Sequence, residues 1–73
     1  MSREIDFVFL SDNNPEYIYS LEVYDDRNQS CGGCRTRTKD DLRAMNNLWK
    51  ERYPTTMMGL RYIYKKEDKL ITL

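Results

Sequence analysis

Apolar and polar side chains alternate with a period of two in three stretches, which is the pattern of β-strands. In the first, Ile5 to Leu10, both alternating sets are apolar, so it predicts a central strand with one face buried and the other partly covered. The second, Glu16 to Asp25, alternates cleanly and predicts a half-buried strand. Turn-forming residues at 11–15 separate these two, which predicts that they pair as a hairpin. The third stretch is 56–65.

Between the second and third stretches the apolar positions change to helical spacing. Thr38 is the predicted N-cap, two aspartates follow in the first turn, and the helix runs from about Lys39 to Arg52, before Pro54. The apolar stripe consists of Leu42, Met45, Leu48, Trp49 and Tyr53. We expect Leu48 and Trp49 to anchor the helix on the sheet.

The remaining segments complete an α+β fold in the order ββ(β)αβ(β). Residues 25–33 are predicted as a loop, 34–37 as a short third strand and 70–73 as a last edge strand. Strands on both sides of one helix favour a small antiparallel-rich sheet with that helix packed on one face. The chain, residues 1–73, is expected to form a single compact domain.

Alternation also predicts which side chains remain on the sheet face that the helix leaves open. If the helix covers the face of Tyr17, Tyr19 and Leu21, an apolar set crowds the opposite face, and such a patch favours an interface. That set is Val8, Leu10, Ile18, Tyr24, Met57 and Ile63.

The amino-acid composition excludes several classes of function. The 73 residues include no histidine, which excludes Ser-His and Cys-His nucleophilic machinery. There is no phosphate-binding loop and no metal constellation, so we expect no enzyme, no cofactor and no bound metal. No apolar run approaches the roughly 20 residues that span a bilayer. The acidic start of the chain is unlike a signal peptide, so a cytoplasmic protein with reduced cysteines and no membrane contact is expected.

The charge is divided along the chain. Residues 1–26 carry one Arg and seven acids, a formal charge of −6, whereas residues 27–73 carry eleven Lys or Arg and five acids, a formal charge of +6. Opposite patches of this kind orient a protein on a macromolecular partner and speed the encounter.

Cys31-Gly-Gly-Cys34 is the motif with chemistry in it. A C-x-x-C pair can be a redox dithiol or half of a zinc site. Here the chain offers no further Cys and no His, so a metal site would require a second chain or an aspartate. The remaining interpretation, which we favour, is a pair of structural thiols beside a glycine turn.

Residues 27–39 hold four cations and no acid, and Arg35, Arg37 and Lys39 alternate as a basic row. Three interpretations remain open: a solvated rim, a contact to an acidic protein surface, or a nucleic-acid contact. A net charge of zero and a pI near 6.2 disfavour a dedicated nucleic-acid binder. The predicted partner-binding residues are therefore Val8, Leu10, Ile18, Tyr24, Arg35, Arg37, Lys39 and Ile63.

The chain resembles, over its whole length, the small transcription regulators that lytic bacteriophages, including a Xanthomonas phage, direct against host RNA polymerase. The resemblance rests on chain length, on the strands EIDFVFL and EYIYSLEVYDD, and on the helix TKDDLRAMNNLWKERYP. It implies a protein that binds the N-terminal part of the largest bacterial RNA polymerase subunit. Such a protein inhibits initiation by weakening the hold of the sigma factor, and it suppresses termination. From the charge split and the zero net charge we expect no direct DNA binding, and we expect a monomer. The alternatives are a nucleic-acid-binding module using residues 27–39 and a C-x-x-C metal or redox protein.

Overall fold

The computed structural model describes residues 4–57 and 59–73, which form one α-helix and a five-stranded antiparallel sheet. This confirms the predicted α+β class with the helix on one sheet face. The elements in chain order are β1 Phe7–Phe9, β2 Tyr19–Tyr24, β3 Ser30–Thr36, α1 Lys39–Arg52, β4 Arg61–Lys66 and β5 Lys69–Ile71.

The strand order across the sheet is β1-β3-β2-β4-β5, so the predicted hairpin of β1 and β2 is wrong. β1 pairs with β3 instead, and β2 lies between β3 and β4. β1 is also an edge strand rather than the predicted central one. The physical reason is the long connection from 10 to 18, which lets the chain pass over β3, whereas short loops join strands that pair directly.

A tight turn at residues 25–29 sets the pairing of β2 with β3. The Asp25 carboxylate accepts hydrogen bonds from the backbone N–H groups of Arg27 and Gln29, both at 2.9 Å, and Asn28 adopts a positive φ of 66°. Side-chain acceptors of this kind favour turns. The predicted loop 25–33 is therefore confirmed for residues 25–29 and wrong for residues 30–33, which belong to β3.

The predicted strand 56–65 starts later, at Arg61, because residues 54–57 form a turn closed by the Met57 N–H and the Pro54 carbonyl at 2.9 Å. Met58, which the alternation placed in this strand, lies outside the described residues. β4 and β5 form a hairpin whose two loop residues, Glu67 and Asp68, both have positive φ. Such loops match the twist of paired strands, and the predicted last edge strand is confirmed at 69–71.

The helix has the predicted bounds and the predicted cap: the Thr38 hydroxyl accepts from the Asp41 N–H at 3.1 Å. Trp49 packs against the core, as expected, but Leu48 does not, so Leu48 is no anchor. The core lies between the helix and the central strands and consists of Leu21, Val23, Cys34, Leu42, Met45 and Leu60. Within the described part of the chain, no helix is both long and apolar enough to cross a membrane.

Candidate functional site

The sheet face away from the helix carries most of the predicted interface side chains. Alternation from the buried Leu21 and Val23 places Tyr24 on that face, and the register places Val8 and Ile63 on the same face. The whole predicted set there, Val8, Leu10, Ile18, Tyr24 and Ile63, is half-buried. Met57 was predicted on this face wrongly: the turn that precedes β4 brings it to the helix side, where it lines a cleft with Trp49.

The middle of the open sheet face is polar. Glu22 accepts a hydrogen bond from the Tyr24 hydroxyl at 2.6 Å and pairs with the Lys65 ammonium at 3.3 Å. The bond from Tyr24 is the main reason that the pKa of Glu22 is lowered, with Lys65 and Arg35 adding to it against an opposing effect of burial. The face is therefore a mixed surface around an ion pair rather than the continuous apolar patch that the pattern suggests.

The predicted basic row divides into three separate environments. The Arg35 guanidinium donates through Nε to the Leu10 carbonyl at 2.9 Å. Arg37 pairs with Asp6 at 3.1 Å and Glu16 at 3.4 Å. Lys39 begins the helix. Two of the three cations are thus engaged by groups of the protein itself, which leaves a weaker basic surface than the sequence implies.

The same contacts fold the two charged halves of the chain onto each other. Arg37 lies 4.9 Å from the ring centre of Tyr17, whose hydroxyl donates to Asp6 at 2.7 Å. Together with the Glu22–Lys65 pair, these contacts join three of the seven N-terminal acids to cations from the C-terminal half. The charge separation along the sequence is consequently reduced in the folded protein.

The C-x-x-C motif lies within β3, not in a loop before a helix. Cys34 is only 1% exposed, and burial raises the pKa of its thiol to about 12. Cys31 is exposed and sits at an irregularity in the pairing of β2 with β3. An extended strand separates their Cα atoms by roughly 10 Å, more than the ~7 Å limit for a disulfide. Among the described residues, no group of three or more His, Cys, Asp or Glu is placed to hold a metal.

The two glycines of the motif serve packing. A Cβ on Gly32 would lie 3.0 Å from the Trp49 ring, and Gly32 has a positive φ of 129°. A Cβ on Gly33 would lie 1.9 Å from the Leu21 carbonyl oxygen. The pair of glycines therefore lets the Trp49 ring and the neighbouring strand approach the β3 backbone closely.

The thiols should differ sharply in reactivity, since the thiolate is the reactive form. In native protein we expect an alkylating or disulfide reagent at pH 8 to modify Cys31 rapidly and Cys34 only on unfolding. Mass spectrometry of a time course in buffer and in denaturant measures this. A Cys31→Ser variant should lose the fast phase, and fast modification of Cys34 in that variant would contradict the assignment.

The helix side of the molecule carries two apolar clefts of about 260 Å³ each. Trp49 and Tyr53 line both clefts, and their ring centres are 5.6 Å apart. The first cleft is completed by Phe7, Met45, Leu48 and Arg52, and the second by Val23, Cys31, Met57 and Leu60. We call the five large side chains Phe7, Leu48, Trp49, Tyr53 and Met57 the helix-side surface.

The helix-side surface is more exposed than the predicted interface. Phe7, Leu48, Tyr53 and Met57 are each 40–45% exposed, and Phe9, on the same edge strand as Phe7, is 74% exposed. Sequence reasoning missed this surface because it assigned Phe7 to a central strand and Leu48 to the core. A signal was present: Leu48 lies about 100° around the helix from Trp49, at the margin of the apolar stripe.

Comparisons with protein-family models, with curated proteins and with solved structures found no match to this chain. The resemblance to phage transcription regulators therefore stays a prediction.

Proposed function

We propose that this chain is a non-catalytic docking protein that binds another protein through the helix-side surface. The observation that carries the proposal is the grouping of exposed apolar and aromatic side chains around Trp49 and Tyr53, with Arg52 at the margin. Aromatic residues, Met and Arg are enriched at protein interfaces, and Trp, Tyr and Arg dominate their binding energy.

The partner we propose is bacterial RNA polymerase, contacted in the N-terminal region of its largest subunit in the host cytoplasm. The support is the resemblance in length and element order to phage regulators, together with a formal net charge of zero, which suits a protein partner better than DNA. Binding there would inhibit initiation by weakening the sigma factor's hold and would suppress termination.

Titration of the protein against purified core polymerase, holoenzyme and duplex DNA tests this proposal. We expect saturable binding to the polymerase, weaker binding when the sigma factor is present, and no binding to DNA. Tight binding to DNA with no affinity for either polymerase form would reject the proposal in favour of a nucleic-acid function for residues 27–39.

A matched pair of variants locates the surface. Leu48→Ala removes an exposed apolar side chain from the helix-side surface, whereas Leu70→Ala removes one from β5, at the other edge of the sheet. Leu48→Ala should weaken polymerase binding and Leu70→Ala should not. If neither variant has an effect and Tyr24→Ala or Ile63→Ala does, the open sheet face is the binding surface, as the sequence first suggested.

A further inference from the structure

We infer that the helix-side surface receives an acidic segment of the partner protein that inserts two large apolar side chains, one into each cleft. The inference rests on the proposed docking function and adds to it the chemistry of the bound segment. Three features of the surface support it: the size of the clefts, the Trp49 and Tyr53 rings that line both, and the charge at the cleft margin.

Each cleft has the size of one large side chain. A cavity of about 150 Å³ lined by apolar groups accommodates a benzene ring, and each cleft here has about 260 Å³ with a mainly apolar and aromatic lining. Because Trp49 and Tyr53 line both clefts, two inserted side chains would both pack against this ring pair. Central, well-packed anchors of this kind supply most of the energy of an interface.

The positive charge at the cleft margin favours a bound segment that carries negative charge. Arg52 is the charged side chain that lines a cleft, and it has no ion-pair partner among the described residues, unlike Arg37, Arg43 and Lys65. A guanidinium binds carboxylates through paired hydrogen bonds, and an apolar surrounding strengthens the attraction. Glu51, the neighbouring acid, lines neither cleft.

A second copy of this chain is a poorer occupant than an acidic segment. A two-fold interface places the same patch on both subunits, so Arg52 of each copy would be brought into the same interface. Neither copy would supply a carboxylate from its own cleft lining. The unpaired cation therefore favours a different, acidic chain.

Selection from a display library of random 12-residue peptides tests the inference, with full-length protein as bait. We expect the selected pool to be enriched in Asp and Glu and to contain two large apolar residues per peptide. Trp49 is the only tryptophan in the chain, so tryptophan-free peptides from the pool should change its fluorescence on binding. Arg52→Glu should weaken these peptides about tenfold or more, whereas Lys69→Glu, the same charge change on β5, should leave them unchanged.

Each other outcome overturns the inference. If the selected peptides are basic or show no charge bias, Arg52 does not select an acidic segment. If no peptides are selected, the surface does not bind an acidic segment. Binding that leaves Trp49 fluorescence unchanged places the peptides elsewhere. Sedimentation that shows a stable dimer assigns the clefts to a second copy. Polymerase binding is measured separately, so that a protein that binds polymerase but selects no acidic peptides retains the proposed function and loses only this inference.

Discussion

Replacing Gly33 by alanine adds one methyl group and is expected to destabilise the protein more than the same substitution at any other described glycine. The new Cβ would lie 1.9 Å from the Leu21 carbonyl oxygen and 2.9 Å from the Leu10 side chain. The first of these atoms belongs to the backbone of β2, so the two strands must separate at the middle of the sheet. We expect the free energy of unfolding to fall by about 3 kcal/mol or more, as measured by urea denaturation followed by circular dichroism.

Gly59→Ala is the matched control for that change. Gly59 also has a positive φ, 60°, but an added Cβ would meet only the Asp26 side chain, at 3.2 Å. The cost should be about 1 kcal/mol, the usual difference for a side chain in the left-handed region. A Gly33→Ala loss no larger than that of Gly59→Ala would contradict the expected clash with the β2 backbone.

Residues close to the helix ends predicted the helix accurately, whereas no local sequence pattern predicted which strands pair. The Thr38 cap, the aspartates of the first turn and Pro54 all act within a few residues, and each lies where the helix begins or ends. Which strands are neighbours depends on the path of the 10–18 connection and on β3 running through Gly32 and Gly33. Glycine pairs are typical of loops, so only the tertiary contacts of that segment reveal it as a strand.

The apolar surface that the sequence predicts and the helix-side surface of the folded protein are different surfaces. The expectation of an apolar interface came from alternation in the three predicted strands, and alternation does assign Tyr24 and Ile63 to the open face correctly. It does not show that a hydroxyl and an ammonium would cluster around Glu22 there. Nor does it show that edge position would expose Phe7, because exposure depends on which strand ends the sheet.

The helix has a buried side and an exposed side, and this difference gives the second large prediction. Leu42 is fully buried against the sheet, whereas Leu48, less than two turns later, is 40% exposed in the first cleft. Leu42→Ala should lower the free energy of unfolding by about 3–5 kcal/mol, since it leaves a cavity in a small core. Leu48→Ala should lower it by less, about 1 kcal/mol, because that side chain is already 40% exposed and loses less buried area on truncation than Leu42.

The two variants therefore separate stability from binding on one helix. Both remove the same three carbon atoms, so differences in helix propensity cancel between them. Urea denaturation gives the two stabilities, and titration with polymerase under conditions where both variants remain folded gives the two affinities. Leu48→Ala should retain most of its stability and lose affinity. A Leu48→Ala protein that is as unstable as Leu42→Ala would return Leu48 to the core and remove the first cleft from the docking surface.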